Sequence, residues 1–230
     1  MQSTGTGQFI VLDGIDGSGK ATQAQLLEER FAAEGKEVLK LNFPVYKGNM
    51  FGELIGECLS GMRGDFVHLD PKIASSLYAL DRYESSDEIR EALTAGKIVI
   101  ADRFTSSNQM HQGGKIDDES ERKKFLEWLD RMEHEVLKVP RPDVILYLKV
   151  PVEVSLKLLS EKRAAKNQIL GDGVKDQVEE DRQYLERSHA TANWLISHQP
   201  NWKVVECMDG NILRSIDVIH EQIWDTVGRT

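Results

Sequence analysis

Cysteine is scarce in this sequence: Cys58 and Cys207 are the only two in 230 residues. Two such distant thiols make no disulfide framework, and without Cys-x-x-Cys spacing they offer neither a zinc site nor a redox pair, so both are expected to be buried and free. Long apolar runs are missing too. None approaches the ~18 to 20 residues of a membrane span, and Met1 to Gly7 is a polar stub without the basic and apolar regions of a signal peptide. These absences together imply a reducing, cytoplasmic setting and no membrane partner. Positive charge is also in short supply, with 29 Lys and Arg against 38 Asp and Glu, a net charge of −9. That field repels a polyanion, so nucleic acid is excluded as a partner. Small phosphorylated ligands stay open, because a local nest of backbone amides with a few Arg binds phosphate inside an acidic protein. No linker, repeat or low-complexity tract divides the chain, and its length suits one domain over 1–230.

What is present is an alternation. Gln8 to Asp13, Lys36 to Asn42, Lys97 to Asp102, Asp143 to Val150 and Trp202 to Cys207 read as strands rich in Val, Ile and Leu. Helical patterns separate them: Ala24, Leu27 and Phe31 first, then Phe125, Leu129, Met132 and Val136, and finally Ile212, Ile216, Ile219 and Ile223. Strands alternating with helices pair in parallel, and near-continuous apolarity inside the strands calls for helices on both faces. The expected fold is α/β, a doubly wound five-stranded parallel sheet with ligands outside the strand carboxyl ends.

Immediately after the first strand stands Gly14-Ile15-Asp16-Gly17-Ser18-Gly19-Lys20-Ala21-Thr22, followed by a helical pattern. In that context it is a P-loop: the glycines let successive amides turn toward a phosphate chain, the helix N-terminus adds its dipole, and Lys20 reaches the β and γ oxygens. One position departs. The pattern wants Ser or Thr directly after the lysine to hold Mg²⁺, but Ala21 stands there and Thr22 follows it, better placed for a phosphate. Water replaces the lost hydroxyl in this reading, anchored by Asp102 at the Walker-B position, the end of the third strand.

Other strand ends carry chemistry as well. Phe43, Pro44 and Tyr46 follow the second strand; Asp102, Arg103, Ser107, Asn108, His111 and Gln112 follow the third. Asp102 beside Arg103 is either a structural salt bridge or a pair in which one organises a metal and the other neutralises a phosphate. Tyr78 and Arg82 lie four apart on the helix expected after Pro71, so they share a face. Taken alone, Tyr78 is either core or a platform for a planar base. The segment from Glu161 to Gly173, with Lys162, Arg163 and Lys166 ahead of Gly171 and Gly173, reads as a solvated loop or as a mobile basic lid.

With these segments assembled, the chain resembles the thymidylate kinases from the first strand to at least Trp194. The matches are the P-loop from Gly14 to Gln23, Phe43-Pro44, Leu77-Tyr78-Ala79-Leu80-Asp81-Arg82, Asp102-Arg103-Phe104-x-x-Ser107-Asn108, and Asp176-x-x-Glu179-x-Asp181-x-x-Tyr184-x-x-Arg187. The resemblance implies a three-layer α/β/α P-loop kinase fold with a lid at about 161–173. It implies transfer of the γ-phosphoryl of ATP to thymidine monophosphate (dTMP), giving ADP and dTDP, with Mg²⁺ as cofactor and a homodimer as the assembly. By the same resemblance Gly14, Gly17, Ser18, Gly19, Lys20, Ala21 and Thr22 hold ATP, joined by Arg163, and the adenine lies near Arg163 and the loop after Cys207. Asp16 takes the deoxyribose 3′-hydroxyl, Tyr78 stacks on thymine, Arg82 bonds its O4, and Asn108 reaches its N3 side. Phe43, Tyr46, Ser107 and His111 complete the monophosphate site, and Arg103 grips the acceptor phosphate. Lys20, Asp102, Arg103 and Arg163 are the catalytic set.

Three departures from the family pattern bear on the site. Val45 replaces an Arg often found after Phe-Pro, leaving Lys47 as a distant substitute; His111 replaces a Tyr packed near the sugar 2′ position; and Gly17 stands where some members place Arg, which suggests charge supplied from the lid. Two other readings compete with this one. Another P-loop nucleoside or nucleotide kinase is opposed by the Tyr78 to Arg82 spacing, which suits a pyrimidine with a keto oxygen. A silent nucleotide-binding regulator would follow if Ala21 abolished the metal site; a GTPase is opposed by the lack of an Asn-Lys-x-Asp motif.

Overall fold

The computed structural model describes residues 7–170 and 182–228, apart from the side chains of 162–170. Five parallel strands form the central sheet in the order β2-β3-β1-β4-β5: β1 is Gln8–Asp13, β2 Val38–Asn42, β3 Ile98–Asp102, β4 Val144–Lys149 and β5 Trp202–Glu206. Each falls within or on the bounds expected from its apolar run. Side chains alternate across the sheet as the two-residue period requires. Phe9 and Val11 of β1 join Val99, Tyr147, Phe125 and Leu195 on one face, whereas Ile10 and Leu12 join Ile100, Leu146, Leu27 and Ile219 on the other.

Helices cover both faces, so the three inner strands, β3, β1 and β4, are buried on either side. Helix α1 (Lys20–Ala33) buries Ala24, Leu27 and Phe31, the expected stripe. Helices α2 (Met50–Leu59), α3 (Pro71–Glu84) and α4 (Ser86–Thr94) lie between β2 and β3. Asp70 opens α3, its carboxylate accepting from the amides of Lys72 and Ile73, with Pro71 at the first helical position. A short turn, α5 (Thr105–Ser107), continues as π-helix over Asn108–Gln112. Helix α6 (Glu119–Asp130) likewise passes into π-helix over Arg131–Val136. The last helices are α7 (Val152–Leu170), α8 (Arg182–His198) and α9 (Ile216–Val227).

Three local expectations need correction. Ile212 is not on a helix: it pairs in the antiparallel hairpin of β6 (Met208–Asp209) and β7 (Ile212–Leu213), where it is exposed, and Ile216 is exposed at the first turn of α9. The apolar stripe begins at Ile219. Val136 is exposed because the π-turn rotates it off the face that Phe125 and Leu129 bury. Residues 161–170 are helix, the continuation of α7, and not loop; the remainder of the expected lid, 171–173, lies outside the described residues. Cys58 and Cys207 are free and buried, as expected. Among the described residues no helix is long and apolar enough to cross a membrane.

Candidate active site

Asp13 ends β1, and the chain then turns through Gly14, Gly17 and Gly19 at φ 152°, 83° and 94° before entering α1. Gly17 has no room for a side chain. A Cβ there would stand 2.6 Å from the Ser155 carbonyl oxygen and 2.9 Å from Leu159 Cγ, both on α7. The Ser155 hydroxyl donates to the Asp16 carbonyl, so α7 holds the loop's outer wall. Lys20 is the first residue of α1 and only 7% exposed. Its Nζ donates to the carbonyls of Gly14 and Ile15 at 2.9 and 3.1 Å. Burial, joined by the nearby Arg103 charge, lowers its pKa. Ser18 Oγ is buried in the loop with no partner among the described residues. Ala21 is exposed and Thr22 half-buried on the first turn of α1.

Strand β3 ends beside β1, with Leu12 opposite Asp102. Arg103 follows in the left-handed region at φ 68°, its amide donating to Leu12 O at 2.9 Å. That conformation is unusual for a side-chain-bearing residue, and it turns the guanidinium back over the P-loop. Nη2 donates to Asp16 Oδ1, and Nη1 lies 3.1 Å from His111 Nε2 and 4.0 Å from Asp13 Oδ1. Asp13 is fully buried and accepts from the Gly14 amide at 2.8 Å and the Ser106 hydroxyl at 2.5 Å, with Ser107 Oγ at 2.8 Å.

The charges decide the protonation states. Burial works to raise the Asp16 pKa, but Arg103, Lys20 and the Arg103 hydrogen bond outweigh it and hold it at about 2. Burial raises that of Asp102, with the neighbouring Asp13 and Asp16 reinforcing the shift against Lys20 and Arg103. Burial and then Arg103 push His111 down to about 3. A guanidinium can only donate, so Nε2 of His111 accepts from Arg103 and the proton sits on Nδ1. Nδ1 donates to Ser188 Oγ at 3.0 Å, and Ser188 Oγ donates to the Tyr184 carbonyl at 2.8 Å. A directed chain of hydrogen bonds therefore runs from Arg103 to α8. The Tyr184 ring stacks on the His111 imidazole, centroids 5.5 Å apart and planes 4° from parallel.

Beyond Arg103 opens a cavity of about 270 Å³. Phe43, Pro44 and Tyr46 form one wall, Tyr78 and Arg82 another, and Asn108, His111 and Tyr184 line the rest. Phe104 lies beneath, edge-on to Phe43 at 5.3 Å. Asp81 fixes the first wall against the second: its carboxylate accepts from the Val45 amide at 3.2 Å and from Asn49 Nδ2 at 3.0 Å. Arg82 is only 2% exposed and donates from Nε and Nη2 to the two oxygens of Glu133, both at 2.8 Å. Asn108 Nδ2 donates to Glu133 Oε1 and to the Ser75 carbonyl, each at 3.1 Å.

The candidate residues fall into one crevice at the carboxyl ends of β1, β2 and β3. Asp16, Phe43, Tyr46, Tyr78, Arg82, Arg103, Ser107, Asn108 and His111 all touch the cavity; Gly14, Gly17, Ser18, Gly19, Lys20, Ala21 and Thr22 lie in or just after the adjoining loop. Lys47 is exposed and absent from the cavity lining, whereas Val45 packs against the core. The side chains of Lys162, Arg163 and Lys166, and the match from Asp176 to Asp181, lie outside the described residues. Sequence reasoning missed Asp13, Glu133, Ser188 and the carboxyl-to-loop role of Asp81. Only Asp81 stood inside a quoted motif; Glu133 and Ser188 act across 51 and 77 residues with no local signature.

Residues 12–223 match the family model described as "Thymidylate kinase". A curated relative, the "Probable thymidylate kinase" of Thermococcus kodakarensis, is 31% identical over 220 residues, 94% of each chain. The "Thymidylate kinase" of Mycobacterium tuberculosis is 30% identical over 182 residues, 79% of this chain and 82% of that protein. Among solved structures, the thymidylate kinase of Candida albicans superposes with a TM-score of 0.71 at 24% identity, covering 98% of this chain and 93% of its own. At that identity the superposition speaks for the α/β fold alone.

Proposed function

The chain belongs to the thymidylate kinase family, and from that premise we propose how its site divides the labour of passing the γ-phosphoryl of ATP to dTMP. The family reaction joins two anions, so the first requirement is charge neutralisation at fixed positions and not proton abstraction. The acceptor is a phosphate monoester with a second pKa of ~6, so its attacking oxygen is already ionised at neutral pH. The observation that carries the reading is the meeting of Asp16, Lys20 and Arg103 at the mouth of a cavity walled by both aromatic and polar side chains. Lys20, held by loop carbonyls, moves its three donors to the β and γ oxygens of ATP. The loop from Gly14 to Thr22 wraps those phosphates. Arg103 swings a donor to the dTMP phosphate, and Asp16, released from Arg103, takes the 3′-hydroxyl. Thymine lies between Phe43 and Tyr78, near Tyr46, with its polar edge toward Arg82 and Asn108. Ser107 fixes the turn that carries Asn108. We assign Arg163, on α7, to the donor phosphates by family resemblance.

Magnesium fits this site as an ion that arrives on ATP. Among the described residues no three His, Cys, Asp or Glu side chains stand ready to cage a metal, which matches an ion that keeps several waters and needs one or two carboxylates. Asp102 would hold it through water in place of the hydroxyl that Ala21 lacks, and the ion would neutralise charge building on the β and γ oxygens. We further propose a single domain, a homodimer and a cytoplasmic protein, the last supported by two unpaired cysteines. The test is ADP release from ATP and Mg²⁺ with a panel of thymidine, deoxyuridine, deoxycytidine, adenosine and guanosine monophosphates. Strong preference for dTMP is expected; a purine monophosphate as the best substrate would overturn the cavity assignment.

A further inference from the structure

We infer that Glu133 is a positioning residue that sets base specificity, by fixing which polar atoms Arg82 and Asn108 offer to the cavity. The inference deepens the proposed base pocket and rests on that reading. Arg82 has three guanidinium nitrogens, and Glu133 takes two of them, Nε and Nη2, in a fork at 2.8 Å. Arg82 is a cavity-lining residue, and Nη1 is the one nitrogen for which the described residues supply no partner. It is a donor in every protonation state the protein visits.

The same carboxylate orients Asn108. Both groups facing its amide, Glu133 Oε1 and the Ser75 carbonyl, are acceptors, so the amide nitrogen must be the atom turned toward them. Its carbonyl oxygen is then the atom left for the cavity. Glu133 is 1% exposed, so water does not compete for these bonds. Asn108 and Glu133 each sit in a π-helical stretch, over Asn108–Gln112 and Arg131–Val136. The two stretches meet at the Glu133 carboxylate, which Asn108 bonds across 25 residues of chain.

A donor beside an acceptor is a readable pattern. Thymine offers O4 as acceptor and N3–H as donor, the complement of Arg82 Nη1 and Asn108 Oδ1. Cytosine inverts both, with an amino donor at C4 and a bare N3. Had the amide of Asn108 turned the other way, half of that discrimination would reverse. Glu133 prevents the turn without itself touching a nucleotide.

The test is kcat/KM for dTMP and for dCMP, and calorimetric binding of both, in the full-length wild type and in Glu133→Gln. The glutamine keeps the size of the side chain but brings its own NH₂, so either Arg82 or Asn108 loses an acceptor and Asn108 gains a reason to rotate. The expected result is a fall of at least about tenfold in the dTMP-to-dCMP ratio, with ATP affinity unchanged. Equal losses for both nucleotides, or an unchanged ratio, would show that Glu133 only supports the fold. If Glu133→Gln does not fold, Glu133→Asp supplies the reading. It keeps the charge but is one methylene too short to reach Arg82 and Asn108 together, so a threefold or greater fall in the same ratio is expected and an unchanged ratio overturns the inference. A wild type that fails to prefer dTMP over dCMP would instead refute the base-pocket reading beneath it.

Discussion

Replacing His111 by Gln should flatten the pH dependence of stability between about pH 7 and pH 5. His111 is buried under Arg103, and burial together with that charge carries its pKa from 6.5 down to about 3. Between those values the unfolded chain binds a proton that the folded chain refuses. Stability therefore falls as the solution is acidified through this window, and the loss is complete below about pH 3. At about 1.4 kcal/mol per pH unit the whole window corresponds to about 4 to 5 kcal/mol. From pH 7 to pH 5 the imidazole of the unfolded chain goes from mostly neutral to almost fully charged, a loss of about 2 kcal/mol. Asp16, also depressed, titrates below its ordinary 3.8 and adds nothing in this interval. His134 and His189 are lowered by burial and slope the same way, but they are common to both proteins and cancel in the comparison. Urea unfolding followed by tryptophan fluorescence, for wild type and His111→Gln at the two pH values, gives the difference directly. Equal losses in the two proteins would refute the assignment of a neutral, Arg103-capped imidazole.

Lys20→Ala should lower turnover by at least about 10² to 10³ fold while the melting temperature stays within a few degrees, about 1 kcal/mol of stability; near-normal steady-state rates in a folded variant would remove Lys20 from the mechanism. Gly17→Ala should cost about 1 to 3 kcal/mol, because φ is +83° and the new Cβ meets the Ser155 carbonyl at 2.6 Å; thermal melts without nucleotide measure it, and an unchanged midpoint contradicts the packing against α7. Arg103→Ala should reduce kcat/KM for dTMP by about a hundredfold or more with far less effect on ATP binding. Calorimetry showing equal losses for the two ligands would place Arg103 elsewhere in the reaction.

The parts legible in the sequence were those whose cause is local. The three inner strands announced themselves by Val, Ile and Leu runs, since burial on both faces leaves no polar alternation to confuse them. The edge strands β2 and β5 kept enough Val, Leu and Trp to be read despite the polar Lys40, Asn42, Lys203 and Glu206. The P-loop was legible because glycines, lysine and helix start are consecutive. Tyr78 and Arg82 could be paired from their spacing alone. What stayed hidden depends on distance or on irregular winding. No rule of periodicity sends Glu133 to Arg82: at i+4 from Leu129 it falls on the buried stripe of Phe125 and Leu129, inside the π-turn at Arg131–Val136, where the pattern calls for an apolar side chain. The same turn exposes Val136. Ile212 misled for the opposite reason, an isoleucine in phase with α9 by coincidence and held in a hairpin that ends at Leu213.

The seam between β1 and β3 has one more consequence. Arg103 N bonds Leu12 O at 2.9 Å, and Phe43 N bonds Asp102 O at 3.0 Å, so three site-bearing strand ends are stitched by main chain just before they diverge. The distance between the donor loop and the acceptor arginine is therefore a property of strand phase and not of any side chain. A deletion or insertion of one residue within β1 or β3 would throw the two halves out of step by about 3.3 Å and turn alternate side chains to the wrong face. Side-chain replacements leave that ruler intact. Length changes in this family should accordingly be confined to the opposite end of the sheet and to the outer loops, and a single-residue insertion after Val11 should silence the enzyme more completely than the loss of any one cation.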